Sequence, residues 1–232
     1  MKLVARLFLA VATFAAMGTL VSVPVRAQGL PALRFLGLSP TQPPADSLTS
    51  RLAVAHAIDR DTIVRATMAV SAMASPALSI QHPRVAGHNP AARVYPYDQA
   101  RARERYTRSG WTATISIMVP SPTNRFWELF NNAVADGLRN TLGASVTLQV
   151  VTPFRALVDA VRAGQAALYM FGWASVPRDY GYPSFALGLA HDNDIADPEI
   201  RALVEKRDAA ALEQLLLERA LIVPIIHYVS QG

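Results

Sequence analysis

Between Thr112 and Phe171 the apolar positions change period four times, and the changes predict a β-α-β-α-β unit. Ala113, Ile115, Ile117 and Val119 share one face of an alternating run, the period-2 pattern of a half-buried strand. Trp127, Phe130, Val134 and Leu138 then recur at helical spacing behind Asn124, a good N-cap residue, and Gly143 follows where a left-handed residue ends a helix. Val146, Leu148 and Val150 alternate as a second strand, and Phe154, Leu157, Val158 and Val161 mark a second helix opening at Pro153. Ala167–Phe171 is an apolar run lying between Gly164 and Gly172, too short for a typical helix and long enough for a buried strand.

Helical crossovers of this length imply parallel pairing and right-handed connections, so all three strands end at one edge of the sheet. The fold class is therefore α/β, with helices on both faces of a parallel sheet. Ligands of open α/β sheets bind at that edge. The loops meeting there are 120–124, 151–153 and 172–182, and the last carries Trp173, Tyr180 and Tyr182 with Arg178 and Asp179 side by side. On composition, these aromatics fit the floor of a binding site or a cover on the end of the core.

The flanks are simpler. Residues 31–44 are apolar and punctuated by proline, and a helix begins near Ser47 with Leu52, Val54, Ala55 and Ile58. A second helical piece with Ile63, Val64 and Met68 joins it near Asp59-Arg60. Prolines 76, 83, 90 and 96 exclude a long regular element between Ser75 and Pro96. Asp98 and Gly110 bracket a helix over 99–109 whose arginines 101, 103, 105 and 108 read as a solvated face. Asp197-Pro198 opens two further helices over 200–206 and 209–220. The closing run, 221–229, contains Pro224, which predicts an edge strand or an irregular extended segment.

Composition changes this picture in three places. Lys2 and Arg6 precede the apolar run 7–23, and Val25-Arg26-Ala27 offers a cleavage site, so residues 1–27 read as a signal peptide that exports the chain. Those residues hold three bases and no acid, and removing them lowers the net charge from +5 to +2, which leaves no electrostatic argument for nucleic acid. The absence of cysteine excludes disulfides and thiolate chemistry. No phosphate-binding glycine loop, dinucleotide fingerprint or serine elbow is present, and the five histidines lack metal-ligand spacing, His191 with Asp192 and Asp194 being the nearest approach. The expectation is a protein that is not an enzyme and needs no cofactor.

Four ordered segments carry a family resemblance. Pro43-Pro44-Ala45-Asp46 leading into RLAVAHAIDR (51–60) is similar to a P-F-x-D…R-x-A-x-x-x-A-I-D-R element, and Tyr97-Asp98-Gln99-Ala100 with Ser109-Gly110-Trp111 to Y-D-P-x-K-A…A-G-Y/W. The stretch from Leu142-Gly143 through Gly164 to Gly172-Trp173, and the ending Ile222-Val223-Pro224-Ile225, complete the set. Together they resemble the extracytoplasmic solute-binding proteins of ATP-driven importers, in the peptide and nickel binding class called family 5.

The resemblance implies a single lobe of the type II periplasmic-binding-protein fold over residues 28–232. Such a lobe would bind a peptide or similar small solute in the periplasm or another extracytoplasmic space and work with ABC permease subunits. It gives Trp173, Asp179 and Tyr180 ligand-binding roles, the carboxylate holding the ligand's α-ammonium group. Asn124 and Arg125, where a helix starts at the same edge, join them as candidate ligand contacts. Only the later part of a family member is matched, and the N-terminal lobe is missing. Weak affinity follows, or a second wall supplied by a separate lobe or a homodimer. The alternative is an interaction module or a degenerate fragment that uses the exposed interlobe surface.

Overall fold

The computed structural model describes residues 30–68, 74–85, 88–174 and 197–230. The predicted signal peptide, Asp179, Tyr180, Tyr182 and the His191 cluster lie outside these residues. In chain order the elements are β1 (Leu30–Leu38), α1 (Leu48–Ala57), α2 (Arg60–Met68), β2 (Ser75–Pro76), α3 (Gln99–Ser109), β3 (Ile115–Pro120) and α4 (Arg125–Leu142). There follow β4 (Val146–Val151), α5 (Phe154–Arg162), β5 (Leu168–Ala174), α6 (Pro198–Lys206), α7 (Ala209–Glu218) and β6 (Ile222–Ser230). The strands form one sheet in the order β2-β6-β1-β5-β3-β4. No described helix is long and apolar enough to cross a membrane.

The predicted parallel unit is present, with β3 between β4 and β5 and parallel to both. Its boundaries follow from local chemistry. The Asn124 side chain accepts from Trp127 N, and Gly143, at φ 69°, donates its N–H to the Arg139 carbonyl. Ile115, Ile117 and Val119 are buried while Ser116 is exposed, as the alternation requires. In β4 the alternation fades, because this strand is the sheet's edge and Val150 is 55% exposed.

Two expectations need correction. The proline-punctuated start of the chain is the nine-residue strand β1, which pairs antiparallel with β5 on one side and β6 on the other, so the full sheet is mixed. Pro31 is tolerated near its beginning. The closing run, expected at an edge or irregular because of Pro224, is an internal strand between β2 and β1. The register slips there: Arg34 faces Ile226 and Phe35 faces Pro224, leaving Ile225 as the extra residue of a bulge. A bulge is where a sheet interior accommodates proline.

Helices cover both faces. Leu36, Leu38, Ile117, Met170 and Ile226 pack with α1, α2 and α4, while Leu33, Phe35, Tyr169 and Phe171 pack with Leu157 of α5, Ile200 of α6 and Leu212 and Leu216 of α7. Gly37 admits the Tyr169 ring, since a Cβ there would lie 2.2 Å from its Cζ.

Several of the motif residues quoted above fasten this scaffold. Arg51 donates to the carbonyls of Ala45 and Asp46, each at 2.8 Å, and to that of Arg219 at 2.8 Å. Arg60 donates to the carbonyls of Pro224 at 2.7 Å and Tyr95 at 3.1 Å. His56 Nδ1 donates to the Pro96 carbonyl at 2.9 Å, Asp59 accepts from Thr62 N and Oγ1, and Asp98 accepts from Arg101 N. On α3, Arg103 reaches the last carbonyls of α4, Asn140 and Thr141, and Arg108 pairs with Glu104.

Candidate functional site

The chain leaves β3 toward β4 on one side and reaches β5 on the other, so a crevice opens at the carboxyl ends of these strands. A cavity of about 400 Å³ occupies it. Ser121 and Thr123 from the loop after β3 form one rim, Thr152 and Phe154 after β4 another, and Gly172 and Ala174 of β5 contribute the floor. Trp127 and Asn131 line it from α4, whose N-terminus, capped by Asn124, opens beside it.

The antiparallel strands complete the cavity with Arg34 of β1 and Tyr228 of β6. Arg34 stands opposite Gly172 in the register, and this glycine is needed, because a Cβ there would lie 2.9 Å from Arg34 Nε and 3.0 Å from its Cζ. The guanidinium carbon rests 3.7 Å from the centroid of the Trp127 ring. Trp127 in turn meets Tyr228 edge-on at 5.2 Å and Phe126 at 4.4 Å. Burial pushes the Arg34 pKa below the ordinary guanidinium value, and the Tyr228 hydroxyl opposes it. Burial raises the Tyr228 phenol, with Arg34 pulling the other way. Arg34 Nε is buried without a hydrogen-bond partner.

The residues expected from sequence are distributed unevenly. Trp173 lies within β5 opposite Leu33, partly buried against the cluster on the far face, while its neighbours Gly172 and Ala174 line the cavity. Asn124 caps α4, and Arg125 forms an exposed 2.8 Å ion pair with Glu128, both next to Thr123 at the rim. Asp179 and Tyr180 fall outside the described residues. Sequence reasoning missed Arg34 and Tyr228, and took Trp127 only as part of an apolar stripe. The available signal was Arg34 itself, a single charge inside the run LPALRFLGL. Among the described residues no group of three histidines or carboxylates is placed to hold a metal.

Comparison with known proteins gives a consistent picture. The sequence model described as "Bacterial extracellular solute-binding proteins, family 5 Middle" matches residues 12–193. No curated protein matches the chain. A dipeptide binding protein from Pseudoalteromonas sp. SM9913, solved with Met-Leu, superposes with TM-score 0.72 at 18% identity, covering 87% of this chain and 43% of its own. NikA from Brucella suis, solved with Fe(III)-EDTA, gives 0.71 at 18% identity over 87% of this chain and 46% of its own. The chain thus spans less than half the length of these two solved structures. A peptide-binding protein of a peptide ABC transporter is covered over 99% of its chain, with 85% of this one, at TM-score 0.67 and 18% identity.

Proposed function

Because the chain belongs to the bacterial extracellular solute-binding proteins of family 5, we propose that it binds a peptide or similar small solute and delivers it to an ABC-type permease outside the cytoplasm. Export would be directed by residues 1–27. Members of the family are solute-binding proteins, and the reading assigns this chain no catalytic step. The observation that carries it is the cavity at the carboxyl ends of β3, β4 and β5, of a volume suited to a small ligand and lined by aromatic rings with a few polar groups. The dipeptide binding protein solved with Met-Leu supports the peptide class by likeness of fold. In this reading Asp179 receives the ligand's ammonium group, Trp173 and Tyr180 stand beside it, and Asn124 and Arg125 border the rim.

Isothermal titration with di- to pentapeptides tests the reading. Measurable binding is expected, weakened about tenfold or more in Asp179→Asn, which removes a charge-assisted hydrogen bond. Absence of heat with every peptide, in protein that is folded, sinks the transport role.

A further inference from the structure

Among the described residues that line the cavity the one charged side chain is a cation, Arg34. None of the described residues lining it is an aspartate or glutamate, and Arg34 makes no ion pair with one. Taking a charge out of water is unfavourable unless partners offset it. Stacking on Trp127 offsets only part. The guanidinium is also held in place: Gly172 leaves it the space, Trp127 covers its face, and Nε is enclosed without an acceptor. A fixed guanidinium at the floor of a cavity, with the Tyr228 phenol as its hydrogen-bond partner among the described residues and no acceptor at Nε, is a receptor for an anion. The α4 N-terminus beside it adds positive potential of the same sense.

The surroundings select the class of anion. Pro120 and Pro122 border the cavity, and proline has no N–H, so this loop lacks the run of backbone donors that cradles a phosphate. The remaining walls, Trp127, Phe154 and Tyr228, are aromatic. We infer that Arg34, stacked on Trp127 over Gly172, holds the carboxylate of a small organic acid whose apolar body lies against these rings. The inference rests on the solute-binding reading for the place of the ligand, and it adds the charge that the ligand carries: a peptide would dock through its C-terminal carboxylate.

The test uses acid and amide pairs, phenylacetate with phenylacetamide and Ala-Phe with its C-terminal amide, titrated into the purified protein and its Arg34→Met variant. In the natural protein each acid is expected to bind about tenfold to hundredfold tighter than its amide, the range for a hydrogen-bonded charge. Arg34→Met should erase that ratio while far-UV circular dichroism stays unchanged. The assignment stands if either acid exceeds its amide in an Arg34-dependent manner, and it is overturned if neither does. Should Arg34→Met fail to fold, equal binding of acid and amide by the natural protein overturns it alone. The two readings separate cleanly. Peptide binding with acid and amide equal removes the carboxylate site and leaves solute binding. Arg34-dependent preference for phenylacetate without any peptide binding does the reverse.

Discussion

Arg60 and Arg34 present the same guanidinium to the same side of one sheet, yet they differ in what meets it. Arg60 enters a nest of main-chain acceptors, the carbonyls of Pro224 and Tyr95, and leaves only Nη2 unpaired. Burial lowers its pKa to about 10, which still leaves it charged at neutral pH. Arg34 meets an aromatic ring and a phenol, with no carbonyl or carboxylate in reach of Nε. A buried cation supplied with acceptors works as a fastener. One denied them is free to recognise something that arrives from outside. Local sequence differs, Arg60 lying between Asp59 and Asp61 and Arg34 between Leu33 and Phe35, but it does not say which acceptors each guanidinium meets.

The comparison breaks most readily at Arg60. Arg60→Met removes two charge-assisted bonds and strands both carbonyls, so unfolding in urea should show a loss of about 3 kcal/mol. A loss below about 1 kcal/mol would show that Arg60 fastens nothing.

Acid sharpens the contrast with a third buried base that, unlike arginine, sheds its proton easily. His227 is 2% exposed, its Nε2 lacks a partner, and burial, with the nearby His82 and His88, lowers its pKa to about 4. Between an unfolded value near 6.5 and that folded value the unfolded chain binds a proton that the folded chain refuses, so stability falls as pH falls through this window. His82 and His56, also held low chiefly by burial, act in the same sense. Glu213, raised by burial against the N–H groups of Ile80 and Gln81, opposes them, since its contribution is lost as pH rises. A net loss of roughly 2 kcal/mol from pH 7 to pH 5 is expected from urea unfolding, shallower in His227→Gln. A flat profile would mean His227 is not buried as a neutral base.

The smallest effect belongs to Arg34. Replacing its under-partnered charge with methionine of similar shape should change stability by no more than about 1 kcal/mol, in either direction, because lost stacking and relieved desolvation oppose each other. A destabilisation matching that of Arg60→Met would move Arg34 among the fasteners.

The parallel unit was legible because its signals are local: a change of period, Asn124 before a helix, and Gly143 or Gly110 after one. The strand β1 was not. Buried on both faces, it shows no alternation, and its register depends on β6 at the far end of the chain. That also hid half the site, since topology located the cavity's edge while Arg34 and Tyr228 reach it from the antiparallel strands. Trp173 illustrates a finer limit. Extending β5 to Ala174 makes Trp173 obey the pleat, so it faces away from Gly172 and Ala174 on either side of it.

Pairing between β1 and β6 has a consequence for re-cutting the protein. Leu30 sits opposite Ser230, and residues paired across antiparallel strands have Cα atoms only about 5 Å apart. A short glycine-serine bridge can therefore join 230 to 30, and new ends can be opened in the proline-rich 88–96 surface stretch without interrupting a strand or a helix. Such a circular permutant would keep the sheet order intact while making β6 and β1 consecutive along the chain.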